Sequence, residues 1–384
     1  MPVWEIARVL PNLSLPARNS DAWASSSAET GRATLSLRSP WIEIMPGDDP
    51  RLQPYTARSR SSRVLLAAFR DYDGSRMVPS VLAVRDDAPI KRELDSIASF
   101  RNAAAACFAL RARAAIAAEA NGRDGAFTDT FDFHPAEVDK RDRVQIHSAA
   151  MANFLGRPTR LSFAPTPSAH RALDLRFCDV TLSRLLSKAW RAAYLQRRRR
   201  RLLLPLFRSL EVAYQAGAIP QKNVGSLYDF GLTIAHWVSA LESLLWLVSR
   251  KANQHLSLSF IGRIEVSDRG LAARRFRVRN DKTLRLNALQ KACSLIYLAR
   301  NRFLHGDPFR RSHLVPWPKR EVRLPELAAV VYREALKQRL HDIFQPVAPT
   351  IASLDGETIA GWFQEDVYDE ALRKIFGRER QPPR

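Results

Sequence analysis

The stretch from about Thr283 to Gly306 most constrains what this chain can fold into. Leu286, Leu289, Cys293, Ile296 and Phe303 recur at approximately helical spacing, so the segment has an apolar face. Gly306 and Pro308 then end it, because glycine tolerates a left-handed cap and proline cannot continue the hydrogen-bond ladder. Arg300, Asn301 and His305 therefore fall in the last turns, beside carbonyls that lack helical partners and favour cations.

An Arg, a polar residue directly after it, and a His separated from the Arg by four residues form a recognisable arrangement. It resembles the signature of the HEPN superfamily. The glycine after His305 and the upstream Ser239-Ala240-Leu241-Glu242-Ser243-Leu244-Leu245 look like its Apea-like branch, and the resemblance covers roughly residues 181–345. It implies a mainly α protein in which residues 176–350 form a HEPN-type helical bundle. It also implies a metal-independent endoribonuclease acting on RNA, two copies of the motif meeting across a homodimer, and a role as a toxin or antiviral defence effector.

The residue types suit that chemistry. Cleavage by attack of a 2′-hydroxyl needs a base for its proton and a cation to hold the charge on phosphorus. Imidazole titrates near neutral pH, and a guanidinium grips phosphate oxygens bidentately while staying charged. No cofactor or metal is required. By resemblance His305 is the general base or acid, Arg300 the phosphate clamp and Asn301 an orienting residue. The plainer alternative is that Arg300 and His305 only cap a helix. Glu242 lies on an apolar helix where a buried carboxylate needs a partner. Arg300 or Arg302 is the simplest one, either to orient the arginine or as a structural salt bridge. His236, nearby, reads as an ordinary core-flanking residue.

The net charge of +21 points to a polyanionic partner, although the excess of Arg over Lys also fits a compositional bias. The run Arg197 to Arg201 reads as a phosphate-contacting patch, led by Arg197 and Arg198, or as a solvated helical end. Arg274, Arg275, Arg277 and Arg279 carry the same ambiguity, but they precede the motif helix and can line an RNA path. Trp190, Tyr194, Tyr297 and Phe309 are candidates to stack bases, with core packing the better reading for the first two.

Other chemistries lack their motifs: there is no phosphate-binding loop, no His-Glu-x-x-His and no Gly-x-Ser-x-Gly. Asp132, His134 and Asp139 have no metal-ligand spacing. A non-catalytic interaction or nucleotide-binding module is the runner-up, and a basic DNA-binding regulator the third reading. Cys107, Cys178 and Cys293 each sit in apolar context and read as buried, reduced thiols. The N-terminus has no signal-peptide core, and the most apolar helix carries Asp229, His236 and Glu242, so a cytoplasmic protein with no membrane span is expected.

At about 100–200 residues per domain, 384 residues suggest two domains. The expected division is an N-terminal α+β domain at 1–175, with a regulatory partner as its expected ligand, the helical domain at 176–350, and a C-terminal helix and basic tail at 351–384. Residues 1 to about 30 read as a loose or lightly paired start. Strands are expected within Ala33–Ile44, and at Val64–Phe69 and Val78–Val84, the latter two as a hairpin, with a loop over Leu52–Arg63. Helices are expected at Ile90–Ala120 and Val144–Phe154, and Phe127–Phe133 reads as a strand. Further on, helices are expected at Leu202–Tyr214 (interrupted at Pro205), Ser226–Lys251, Glu326–Phe344 and Ile359–Phe376. An insert is expected from about Leu256 to Asp281, partly stranded at Leu258–Val266, and a Pro-punctuated loop from Pro308 to Pro318.

Overall fold

The computed structural model describes residues 2–10, 13, 15, 37, 39–69, 76, 78–90, 94–118, 136–138, 144–147, 152–155, 177–196, 200–218, 226–246, 253–266, 268–278, 281–308, 310–315, 323–344 and 368–376. They form a mainly helical protein with a small antiparallel sheet. The chain divides into two compact units: Met1–Phe108 with Asp129–Arg198, and Ala109–Thr128 with Arg199–Arg384. No helix among the described residues is long and apolar enough to cross a membrane.

The first unit is built on strands β1 (Trp4–Leu10), β2 (Ile42–Pro46) and β3 (Ser80–Arg85), in which β1 and β2 flank β3 antiparallel. Residues 4–10, within the start expected to be loose or lightly paired, are a strand paired along its length. A register shift between Ile6 and Arg8 breaks the in–out alternation, so no period-2 signal is visible there. Helices α1 (Gln53–Arg58) and α2 (Arg60–Ala68) replace the expected loop and the strand at Val64–Phe69. The Ser59 side chain caps α2 by accepting from Ser62 N–H at 3.0 Å. Leu65 and Phe69 join Ile6, Val9, Met45, Leu52, Val81 and Ala83 in one core cluster. Consequently β3 pairs with β1 and β2 rather than with the preceding segment.

Helix α3 (Leu94–Ala118) follows as expected, its residues to Phe108 grouping with this unit. Strands β4 (Ala136–Val138), β5 (Val144–His147) and β6 (Ala152–Leu155) extend the sheet in the order β2-β3-β1-β4-β5-β6. The helix expected over Val144–Phe154 is thus an antiparallel hairpin, with Val144 opposite Leu155. Helix α4 (Val180–Trp190), capped by Asp179, continues into a π-helical turn, Arg191–Leu195, and both group with the first unit. Trp190 is fully buried, edge-on to Phe100 at 5.1 Å, and donates its indole N–H to Ser96 O at 2.9 Å. It is a core residue.

The second unit is a helical bundle centred on α6. Helix α5 (Arg200–Ala218) runs through Pro205 without a break, and α6 (Leu227–Leu245) opens on a capping box between Ser226 and Asp229. Asn253 caps α7 (Gln254–Gly262), which replaces the strand expected from Leu258. Ser257, Phe260 and Ile261 are its buried residues, at i, i+3 and i+4. A single turn, α8 (Arg269–Ala272), leads into a ribbon of β7 (Phe276–Val278) and β8 (Asp281–Leu286).

The motif helix α9 (Ala288–Leu304) begins later than the expected Thr283, behind a capping box of Asn287 and Gln290. After it come one turn, α10 (Arg311–Leu314), within the expected loop, then α11 (Leu324–Phe344) and α12 (residues 368–376). Helices α5, α9 and α11 all pack on α6. Ser209 Oγ donates to Ala240 O at 2.6 Å and lies 2.8 Å from Tyr332 Oη, joining α5, α6 and α11 inside the core. The single Ser209 proton is used on the carbonyl, so Tyr332 donates to Ser209. Cys107, Cys178 and Cys293 are buried thiols in no disulfide.

Candidate active site at the end of α9

Two contacts fix the motif helix against its neighbours. Near its start, the Gln290 side chain accepts from Asn287 N–H at 3.0 Å and donates to Leu258 O at 2.9 Å, so one residue caps α9 and ties it to α7. Near its end, Phe303 lies over Gly231 of α6. A Cβ on Gly231 would stand 2.1 Å from the Phe303 ring, so only glycine allows this approach. Tyr228 meets the same ring edge-on, with centroids 5.3 Å apart. Gly231 meets Phe303 while Glu242 meets Tyr297, so α6 and α9 run antiparallel.

The terminus is built as expected. His305 is the C-cap, its N–H donating to Asn301 O at 2.9 Å. Gly306 follows at φ 74°, the left-handed region, with nothing within 4 Å of a Cβ. Backbone conformation rather than space therefore selects glycine. Asp307 N–H returns to Arg302 O at 3.0 Å, which completes a Schellman stop.

Asn301 is tied to both of the other motif residues. Its Oδ1 accepts from Arg300 Nη1 at 3.0 Å, while its carbonyl accepts from His305 N–H. Arg300 and Asn301 are half-buried and His305 is exposed. Glu242, half-buried, accepts from Tyr297 Oη at 3.2 Å, and Tyr297 Oη also lies 2.7 Å from Ser257 Oγ. Burial pushes the Glu242 carboxyl above its usual range; the Tyr297 hydrogen bond and the Arg300 charge oppose that rise. Arg300 therefore acts on Glu242 through space, and the partner in hydrogen-bond contact is Tyr297 rather than the expected arginine. Arg302 lies beside the same terminus. Burial, then the charges of Arg302 and Arg310, hold His313 of α10 below its ordinary value.

Sequence reasoning missed Tyr297 and Ser257 as members of this cluster. Tyr297, taken as a candidate base-stacker, is 2% exposed and belongs to the bundle interior. Its place three residues before Arg300, one turn back on the same helix, was the available signal. His236 is half-buried, with Nδ1 2.9 Å from Leu232 O in its own helix.

The expected nucleic-acid contacts are elsewhere. Arg274, Arg275 and Arg277 lie in and before the β7–β8 ribbon, at the opposite end of α9 from His305. The Arg275 guanidinium is committed to the carbonyls of Ala272 and Arg274. Arg197, Arg198, Arg279 and Phe309, along with Asp132, His134, Asp139 and the strand expected at 127–133, lie outside the described residues.

The chain matches no family model, no curated protein and no solved structure. The chemistry is therefore argued from the side chains alone. A guanidinium held by a neighbouring amide near a half-buried carboxylate is suited to gripping an anion. An exposed imidazole on the last turn is suited to moving a proton. Five residues along a helix correspond to about 7.5 Å of rise and about 140° of rotation. Within one chain, the Arg300 and His305 side chains thus leave α9 on different sides.

Proposed function

We propose that the second unit is a metal-independent endoribonuclease of HEPN type, active as a homodimer on RNA. The observation that carries this reading is the hydrogen bond of the Arg300 guanidinium to the Asn301 side chain beside an exposed His305 at the C-cap of α9. Arg300 and Asn301 are thereby held together on the terminus that presents His305.

In the reaction, neutral His305 takes the proton of a ribose 2′-hydroxyl as that oxygen attacks the adjacent phosphorus. The bond from phosphorus to the 5′-oxygen breaks, and a protonated imidazole returns a proton to the leaving oxygen. The products are a 2′,3′-cyclic phosphate and a 5′-hydroxyl. Arg300 holds the non-bridging oxygens as charge develops. Side chains supply both the proton transfers and the compensating charge, so no metal enters the scheme. Because Arg300 and His305 diverge on one helix, a second copy is needed to bring a clamp and a base onto one phosphate. Leu298 and Leu304 on α9 are 47% and 50% exposed, and Tyr228 on α6 is 65% exposed, which leaves apolar area around the motif for that copy to cover. A conditional role, as a toxin or defence effector, follows from the same resemblance.

The test is cleavage of total RNA in EDTA by the full chain and by His305→Ala and Arg300→Ala. Loss of cleavage in both variants, with dimerisation and thermal unfolding unchanged, supports the assignment; equal cleavage by all three overturns it. The divergence of Arg300 and His305 favours a second reading for a chain that remains monomeric: a non-catalytic HEPN interaction or nucleotide-binding module. A monomer by sedimentation, with no cleavage, would decide for that.

A further inference from the structure

The turn that ends α9 gathers more positive charge than the motif uses. Arg302 and His305 are three residues apart at the end of α9, a spacing that sets side chains on one side of a helix with Cβ atoms about 5–6 Å apart. Arg300 lies two residues before Arg302, and about 200° of rotation sends it to a different side. The Schellman stop then turns the chain back, with Asp307 N–H meeting Arg302 O at 3.0 Å. Three further residues span at most about 11 Å, so Arg310 cannot stray far from Arg302. Helix α10 fixes it there: Leu314 is 3% exposed and anchors the turn, and Arg310 N–H donates to His313 Nδ1 at 3.1 Å. Burial, and then the charges of Arg302 and Arg310, act together on that imidazole. Arg302 is half-buried and Arg310 exposed, and neither is in an ion pair among the described residues. Asp307, the carboxylate between them in the chain, is exposed and pairs with neither. Two guanidiniums set around one imidazole with no carboxylate between them are suited to an anion.

We infer that Arg302 and Arg310 hold a phosphate that flanks the scissile one in a single-stranded RNA, beside His305 of the same chain. The inference rests on the ribonuclease reading for the identity of the strand. Each guanidinium fork can take phosphate oxygens bidentately and stays charged. Such contacts fix where the strand lies without reading its bases. Arg302 is therefore a binding residue on the His305 side of α9, whereas Arg300 leaves the helix on another side. Arg311 provides an internal control. It is exposed and adjoins Arg310 in the chain, but the charges that act on His313 are those of Arg302 and Arg310.

The test uses the full chain and a 5′-labelled, single-stranded 2′-O-methyl RNA of mixed sequence, which lacks the nucleophile and stays intact. Binding is followed by fluorescence anisotropy across a salt series for the wild type, Arg302→Gln, Arg310→Gln, the double variant and Arg311→Gln. Each of the first two substitutions is expected to lower the slope of log K against log salt by about 0.7, the value for one phosphate contact on a single strand, and the double variant by about 1.4. Arg311→Gln is expected to leave the slope unchanged. Arg302→Lys with Arg310→Lys keeps both charges and is expected to keep the slope. Arg310 is exposed, so Arg310→Gln decides even where substitution of the half-buried Arg302 lowers thermal stability. An unchanged slope in the double variant, a loss in Arg311→Gln as large as in Arg310→Gln, or a strand that the wild type does not bind would each overturn the inference. So would a nucleoside triphosphate that binds more tightly than the strand through the same two arginines. The outcome is separable from the ribonuclease reading. Binding that depends on Arg302 and Arg310 in a chain that cuts no RNA leaves the contact standing and removes the nuclease. Cleavage whose KM ignores both arginines does the reverse.

Discussion

Tyr297 donates its hydroxyl proton to Glu242 Oε1 at 3.2 Å, and this bond links α9 to α6 one helical turn behind Arg300. The carboxyl it holds is raised by burial, with the Tyr297 bond and the Arg300 charge pulling the other way. A carboxyl whose folded pKa exceeds its unfolded one keeps its proton in the native state while the unfolded chain loses it. Stability from Glu242 is therefore fully present below about pH 4.5, the unfolded value, and declines as pH rises through the folded value. Urea unfolding of wild type and Glu242→Gln across that range should show this decline in the wild type and its absence in the variant. Tyr297→Phe removes a bond that lowers the Glu242 pKa, so the decline should extend to higher pH. That variant should also cost about 1–2 kcal/mol, because Ser257 loses the same partner.

Gly231 and Phe303 give a packing test that does not depend on the chemistry. A methyl group at position 231 would collide with the aromatic ring at 2.1 Å, and Tyr228 holds that ring on another edge. Gly231→Ala should destabilise the second unit by about 1–3 kcal/mol, the usual range for overpacking. In a Phe303→Leu background the same substitution should cost measurably less, since the two positions share one space. Additive costs in chemical denaturation would show that the methyl group is accommodated by α6 moving and not at the ring.

Much of this architecture was legible from the chain, and the exceptions have physical reasons. The helix at Leu227–Leu245 announces itself by one broad buried face. Those at Leu94–Ala118 and Leu324–Phe344 are buried all round over Asn102–Leu110 and Leu324–Leu336, and are marked instead by long alanine- and leucine-containing sequence without Gly or interior Pro. The Gly306 stop was equally clear, because a left-handed cap selects glycine locally. Strand β1 was hidden by the shift after Ile6, and the hairpin of Val144–His147 with Ala152–Leu155 depends on pairing that no single window reveals. Leu256, Leu258 and Phe260 imitate a strand, yet Asn253 caps a helix there and Ser257, Phe260 and Ile261 turn inward together. At the site, the positions of Arg300, Asn301 and His305 could be read from spacing. The Ser257–Tyr297–Glu242 cluster could not, because its members are 40 and 55 residues apart and meet only when three helices pack.

The cysteines provide a chemical check on burial. All three are buried and in no disulfide, and burial pushes the Cys293 thiol up to about 12 and the Cys107 thiol well above its ordinary value. Thiolate is the reactive form. A colorimetric thiol reagent at pH 8 should therefore find almost no reactive cysteine in the native chain and all three after denaturation. Rapid native labelling of Cys293 would mean that α9 separates readily from its neighbours, which the capping and packing contacts of Gln290 and Phe303 oppose.

The divergence of Arg300 and His305 on α9 yields the most specific expectation for activity. In a two-fold dimer whose sites each combine Arg300 of one protomer with His305 of the other, Arg300→Ala and His305→Ala homodimers are both inactive. A heterodimer of the two variants has one site lacking both groups and one site with both intact. Random mixing makes half of the dimers heterodimers, each with one of its two sites restored. Activity should then recover to about a quarter of wild type, by the symmetry of the two-fold axis alone. If the clamp and the base act within a single chain, every site in the mixture lacks one of them and nothing is restored. Mixing the two variants under conditions that exchange subunits, then measuring RNA cleavage against the unmixed proteins, separates the two arrangements.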